Sequence, residues 1–120
     1  MRQIITGLLI LAVLSFISCV QKTSKKTVVF TLDVSEIKNC KSVGIRGNDQ
    51  PLSWDKDLKM KEIKKDSLFE ITVSGETAFQ FTEVKFVVNG VFELQNNNNR
   101  RIYFDKEKDT TYYKAKFNRN

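Results

Sequence analysis

The sequence predicts an all-β fold, an antiparallel sandwich of about seven strands, on three observations. Apolar residues recur at every second position, most clearly at Val28, Phe30, Leu32 and Val34, which is the period of a half-buried strand. Turn residues separate these runs at the short spacing of a small sandwich. The body of the chain has no apolar period that would predict a helix longer than a turn or two.

Each predicted strand satisfies the same two-residue period or ends at a turn signal. The longest loop is predicted from Asn48 to Lys59, because this stretch is rich in turn residues and contains the only proline, Pro51. With strands of this number and spacing, an immunoglobulin-like arrangement is the expected form of the sandwich. The strands are predicted at 27–34, 42–47, 68–73, 79–88, 91–95, 101–104 and 111–117.

The fourth predicted strand changes phase midway. Phe79 and Phe81 are apolar at odd positions, whereas Val84 and Phe86 are apolar at even positions. One residue must be gained or lost for both pairs to face the core, so a bulge or break is predicted near Thr82 and Glu83.

Asn89-Gly90 is the most specific local signal, since both residues tolerate positive φ and the pair favours a two-residue type I′ hairpin. In this hairpin Val87 faces Phe92, and Lys85 faces Leu94. Lys85 and Phe92 are therefore predicted to share the outer face of the sheet, opposite the core.

The same register places Glu93 beside Phe86 on the core side of the hairpin. A buried carboxylate is costly unless another group pairs with it. Glu93 is therefore expected to have a partner, or the hairpin must extend past the core.

The N-terminus predicts export and lipid anchoring. Arg2 precedes a short apolar run, and Phe16-Ile17-Ser18-Cys19 resembles a bacterial lipobox, so residues 1–18 are expected to be a lipoprotein signal peptide with Cys19 as the acylated (palmitate-bearing) anchor. An ordinary signal peptide with an incidental cysteine is the alternative. Residues 19–26 are expected to be a flexible stalk and 27–120 the domain, held on the outer membrane of a bacterial cell envelope, facing the periplasm or the cell surface.

Composition excludes several classes of chemistry. Hydrophobic residues at 41% and charged residues at 28% fit a soluble globular domain, and the absence of histidine removes imidazole catalysis and His-ligated zinc. Asp55 and Asp57 lack the further positions of a calcium loop, and no acid pair suggests a glycosidase. Cys40 is interpreted as structural. No enzyme, cofactor, metal or nucleic-acid partner is expected.

Three segments follow one another along the chain: Gly47-Asn48 with Leu52 and Trp54, then Val84 to Gly90, then Phe92-Glu93 with Asn99-Arg100. Together they resemble starch- and glycogen-binding modules, namely the family-20 carbohydrate-binding modules and, more distantly, the glycogen-binding domain of the AMP-activated kinase beta subunit. The resemblance implies a shallow platform for an α-glucan made by Trp54, Lys85 and Phe92, with Asn99 as a polar contact. Phe92 stands where these modules more usually have tryptophan.

Two functions follow as expectations. The first is non-catalytic binding of starch, glycogen or maltooligosaccharides by a membrane-anchored lipoprotein, with a glycoside hydrolase as a candidate partner. Sugar C–H groups pack on aromatic faces, and hydroxyls need donors such as Lys85 and an asparagine amide. The second is an envelope protein-protein interaction module without a sugar ligand. In a purely structural interpretation, Trp54 plugs the end of the sandwich and Phe92 caps the hairpin.

Overall fold

Nine β-strands form two packed sheets in the part of the chain that the structure, a computed structural model, describes, which is residues 22–120. The predicted signal peptide and Cys19 lie outside the described residues. Within 22–120, no helix is long and apolar enough to cross a membrane. The strands are β1 (Ser24–Asp33), β2 (Val43–Gly47), β3 (Leu58–Lys59), β4 (Lys61–Lys64), β5 (Leu68–Thr77), β6 (Phe81–Val88), β7 (Val91–Phe92), β8 (Arg100–Tyr103) and β9 (Thr110–Lys116).

Sheet A has the order β4-β5-β1-β9, and sheet B has the order β3-β2-β6-β7, with β8 also paired to β6. The pairing of β1 with β9 is parallel, and the other pairings of these strands are antiparallel. The all-β sandwich predicted from the sequence is confirmed. Alternation identifies strands but not their direction, so the parallel pair could not be predicted.

The core lies between the sheets and follows the predicted alternation. Val28, Phe30 and Leu32 of β1 are at most 3% exposed. The Phe30 ring meets Phe86 of sheet B edge-on, with ring centroids 6.0 Å apart and an interplanar angle of 78°. Burial of each such side chain contributes about 1.5–3 kcal/mol, so this aromatic contact helps to join the two sheets at their centre.

Strand number and several strand boundaries differ from the predictions. Two short strands, β3 and β4, occupy the end of the predicted long loop and the segment after it, where they pair with β2 and β5. Strand β1 begins at Ser24, so residues 24–26 of the predicted stalk belong to sheet A. Polar composition favoured a spacer there, but Lys25 and Lys26 pair with Glu76 and Gly75 of β5.

The predicted bulge near Thr82 and Glu83 is wrong. Strand β6 pairs with β8 through residues 81–84 without a shift in register. The phase change has another cause: Phe81 faces outward, where its ring lies 5.7 Å from that of Tyr103. Thr82 points inward instead, and its hydroxyl donates to Asp49 (2.7 Å).

The Asn89-Gly90 hairpin forms as predicted, with φ of 51° at Asn89 and 77° at Gly90. Val87 pairs with Phe92, which confirms the register at the turn. The ladder then stops, because Leu94 takes a positive φ of 47° and the chain leaves β6. The predicted pairing of Lys85 with Leu94 is therefore absent, and residues 93–99 form a loop before β8 continues along the same strand.

Candidate functional site

The outer face of sheet B, the side of β2, β6, β7 and β8 turned away from the core, carries the predicted site. Lys85 lies opposite Arg46 of β2, and Phe92 lies opposite Val87. Alternation along β6 therefore places Lys85 and Phe92 on the same face. The sequence predicted this placement from the hairpin alone.

Arg46 occupies the centre of this face. Its Nε donates to Asp57 Oδ1 (2.6 Å), and its Nη1 donates to the carbonyl oxygen of Trp54 (2.8 Å). Its guanidinium carbon lies 5.1 Å from the centroid of the Phe92 ring. Arg46 thus links the loop between β2 and β3, residues 48–57 (the Trp54 loop), to the hairpin. It also covers one side of Phe92, which leaves that ring with less surface for a ligand.

Sequence reasoning missed Arg46, although its place in the β2 alternation already put it on this face. Gly44, on the same face of β2, explains how the Trp54 loop reaches the guanidinium. A Cβ at Gly44 would stand only 3.0 Å from the Cβ of Asp57. The missing side chain lets Asp57 lie over β2, within reach of Arg46.

Trp54 lies half-buried at the edge of the same face. Its indole Nε1 donates to Oδ1 of Asn48. The backbone amide of Asn48 donates to the Glu83 carbonyl (3.1 Å), which continues the β2–β6 alignment by one residue and places Asn48 on the outer face with Arg46. Leu52, at 4% exposure, is the residue of this loop that enters the core.

The ammonium group of Lys85 is bound to the backbone of one loop. Its Nζ lies 2.9 Å from the carbonyl oxygen of Leu94, 3.1 Å from that of Asn97 and 3.4 Å from that of Glu93. An ammonium group has three donors, and these three carbonyls can accept all of them. Lys85 therefore positions the loop, and its expected role as a donor to sugar hydroxyls would require these bonds to be exchanged.

The loop that Lys85 holds, residues 93–99, forms one wall of a cleft. The backbone amide of Asn97 donates to the Leu94 carbonyl (3.0 Å), which closes a turn within the loop. Asparagines 97–99 are exposed and line the cleft, whose volume is about 640 Å³. The cleft therefore offers amide donors and acceptors, and it includes the predicted contact Asn99.

Charged groups form the other wall of the cleft. Arg101 Nη2 lies 3.7 Å from Glu83 Oε1, and its guanidinium lies 4.3 Å from the centroid of the Phe81 ring. The Tyr103 hydroxyl and the Glu83 carboxylate hold the pKa of Arg101 above its ordinary value. Arg101 stays protonated at any physiological pH and can donate to an oxygen ligand.

A buried ion pair anchors both ends of the same loop. Glu93 is fully buried, and its two carboxylate oxygens accept from Nε (2.7 Å) and Nη2 (2.8 Å) of Arg100. Arg100 also donates to the carbonyls of Lys116 (3.0 Å) and Arg119 (2.6 Å). Burial acts to lower the pKa of Arg100, but hydrogen bonds with Glu93 and Tyr113 raise it overall. Of the two alternatives expected for Glu93, the structure shows the first, and the partner is Arg100.

Replacing Lys85 by methionine tests the positioning role. Methionine keeps much of the apolar stem but cannot donate to the three carbonyls, so the loop should loosen while the sheet stays folded. Amide hydrogen exchange at residues 94–99 is expected to accelerate roughly tenfold, for a loss of about 1.5 kcal/mol of local stability. Unchanged exchange at the loop, with the strands also unchanged, would contradict the role.

The described residues offer no metal centre: among 22–120, no three His, Cys, Asp or Glu side chains come together. Cys40 is partly buried against the core, and burial raises the pKa of its thiol, which disfavours the reactive thiolate. The chain matches no protein-family model and no curated protein. The resemblance to starch-binding modules therefore stays a prediction from the three sequence motifs.

Proposed function

We propose that the protein binds an α-glucan, without catalysis, on the outer face of sheet B. The observation that carries the proposal is the half-buried indole of Trp54, held on this face by Asn48 rather than packed in the core. Glu83 adjoins both Asn48 and the asparagine cleft, so an aromatic surface and a set of amides flank one strand.

The chemistry suits a sugar chain. An indole face packs against the C–H groups of a pyranose, while asparagine amides and Arg101 can bond to the hydroxyls at the ring edge. Phe92 contributes a second but smaller surface, because Arg46 covers one of its sides. The choice of an α-glucan among sugars comes from the resemblance of the three motifs to starch-binding modules.

The proposal includes the anchor expected from the sequence. Acylation of Cys19 would hold the domain on a bacterial envelope membrane, where bound starch, glycogen or maltooligosaccharide would be kept near a glycoside hydrolase partner. The acyl chains contribute about 0.8 kcal/mol per buried methylene, so several chains suffice for stable attachment.

Titration with maltoheptaose, followed by tryptophan fluorescence, tests the proposal. Trp54 is the only tryptophan of the chain, so a change in emission reports on this face alone. A saturable change is expected with maltoheptaose and a much weaker one with a cellooligosaccharide of similar length. Emission that stays constant up to the highest soluble concentration of maltoheptaose would contradict glucan binding and favour a protein partner for the same face.

A further inference from the structure

One end of the sandwich exposes two large aromatic side chains. Phe79, in the turn between β5 and β6, is 66% exposed, and Tyr103, at the end of β8, is 63% exposed. The pairing of β1 with β5 and of β6 with β8 brings the start of β1 to the same end. We name this the basal end, made of residues 22–26, 77–81 and 103–108.

Cationic side chains surround these aromatics. Phe79 and Tyr103 line an open cleft of about 470 Å³ together with Lys22, Lys26 and Lys106. Lysine side chains can lie along apolar surface while their ammonium groups stay in a polar environment. The basal end therefore combines an apolar centre with a positive rim.

One carboxylate, that of Asp105, is found among the described residues that line this cleft. It accepts from the backbone amides of Glu107 (2.9 Å) and Lys108 (3.1 Å), and these bonds lower its pKa. Asp105 therefore stays ionised at neutral pH, and the three lysines outnumber it.

The short distance along the chain from the predicted anchor to β1 indicates which surface the basal end faces. The predicted anchor Cys19 is separated from Ser24, the first residue of β1, by residues 20–23. An extended chain spans at most about 3.6 Å per residue, so the start of β1 can lie no more than roughly 18 Å from the anchor. An acylated Cys19 would therefore keep the basal end close to the membrane surface.

We infer that the basal end rests on an anionic membrane surface, with Phe79 and Tyr103 at headgroup level and the three lysines against lipid phosphates. Tyrosine favours the membrane interface, an exposed phenylalanine can bury its ring at the boundary between headgroups and acyl chains, and lysines are attracted to an anionic leaflet. The inference rests on the proposed anchor but not on glucan binding. In this orientation the outer face of sheet B stands beside the membrane and stays open to a polysaccharide.

The test places the chain's only tryptophan at the basal end. The lipidated chain carrying Trp54→Phe and Phe79→Trp is reconstituted with phosphatidylglycerol vesicles that contain brominated lipid, which quenches nearby tryptophan. The matched control carries Trp54→Phe and Val91→Trp, since Val91 is 50% exposed beside the hairpin at the other end of β6, about 23 Å away. Quenching is expected at position 79 and not at position 91.

The lysines are tested in the same quenching assay. Each lysine near an anionic surface strengthens its attraction to the membrane by about 1 kcal/mol. Replacing Lys22, Lys26 and Lys106 by glutamine should therefore lower the ratio of membrane-bound to unbound basal ends roughly fivefold for each lysine replaced. Phosphatidylcholine vesicles with the same content of brominated lipid, which carry no net negative charge, should quench position 79 less.

Three results would overturn the inference, and co-sedimentation with the vesicles distinguishes them. Protein that does not sediment would contradict the anchor and, with it, the orientation. Protein that sediments without quenching at position 79 would show that the anchor holds the chain without contact at this end. A blue-shifted emission at position 79 that is the same with and without vesicles would show that the chain itself covers the aromatics.

Discussion

Replacing Arg100 by alanine is expected to lower the free energy of unfolding by roughly 3–5 kcal/mol. The substitution leaves the carboxylate of Glu93, which is fully buried, without its bidentate partner. It also removes the donors to the carbonyls of Lys116 and Arg119, so the C-terminal end of β9 and the residues after it lose two of their hydrogen bonds. Urea denaturation followed by circular dichroism measures the loss.

The neighbouring arginine supplies the control. The side chain of Arg101 is 51% exposed, and its ion pair with Glu83 is long, at 3.7 Å. Exposed pairs of this kind contribute little to stability, so Arg101→Ala should lower the free energy of unfolding far less than Arg100→Ala. Equal losses of unfolding free energy in the two alanine variants would show that burial of the Glu93–Arg100 pair does not increase its contribution to stability.

The sequence predicted most of the fold because its signals are local. Alternation along β1 identified the core residues, and the Asn89-Gly90 turn fixed the register of β6 with β7. From that register followed the face shared by Lys85 and Phe92, and the need of Glu93 for a partner. The parallel pairing of β1 with β9 joins segments far apart in the sequence, so no local pattern predicts it.

The site was predicted less completely, because the strand that carries a long side chain does not determine where its terminal charged group lies. Lys85 lies on the expected face, but its ammonium bends to three carbonyls of one loop. Arg46 reaches the Phe92 ring from β2, a contact between residues far apart in sequence. Alternation predicts which face a residue occupies, whereas such contacts require the folded chain.

Replacing Trp54 by alanine is expected to weaken binding to maltoheptaose and starch roughly ten- to hundredfold. Covering an aromatic side chain is worth about 1.5–3 kcal/mol, and each 1.4 kcal/mol is about a factor of ten in affinity. Sedimentation with insoluble starch measures the loss, since the variant has no tryptophan fluorescence. Phe92→Ala should weaken binding less, because Arg46 already covers one side of that ring.

Tyr112→Ala is the matched control for both variants. Tyr112 is 75% exposed on strand β9 of sheet A, so its loss removes an aromatic surface from the other side of the sandwich. Starch binding should stay unchanged in this variant, and circular dichroism should show all three variants folded. If Trp54→Ala bound starch as well as the unaltered chain, the outer face of sheet B would not be the sugar site. If Tyr112→Ala weakened binding equally, aromatic exposure in general, and not this face, would account for the affinity.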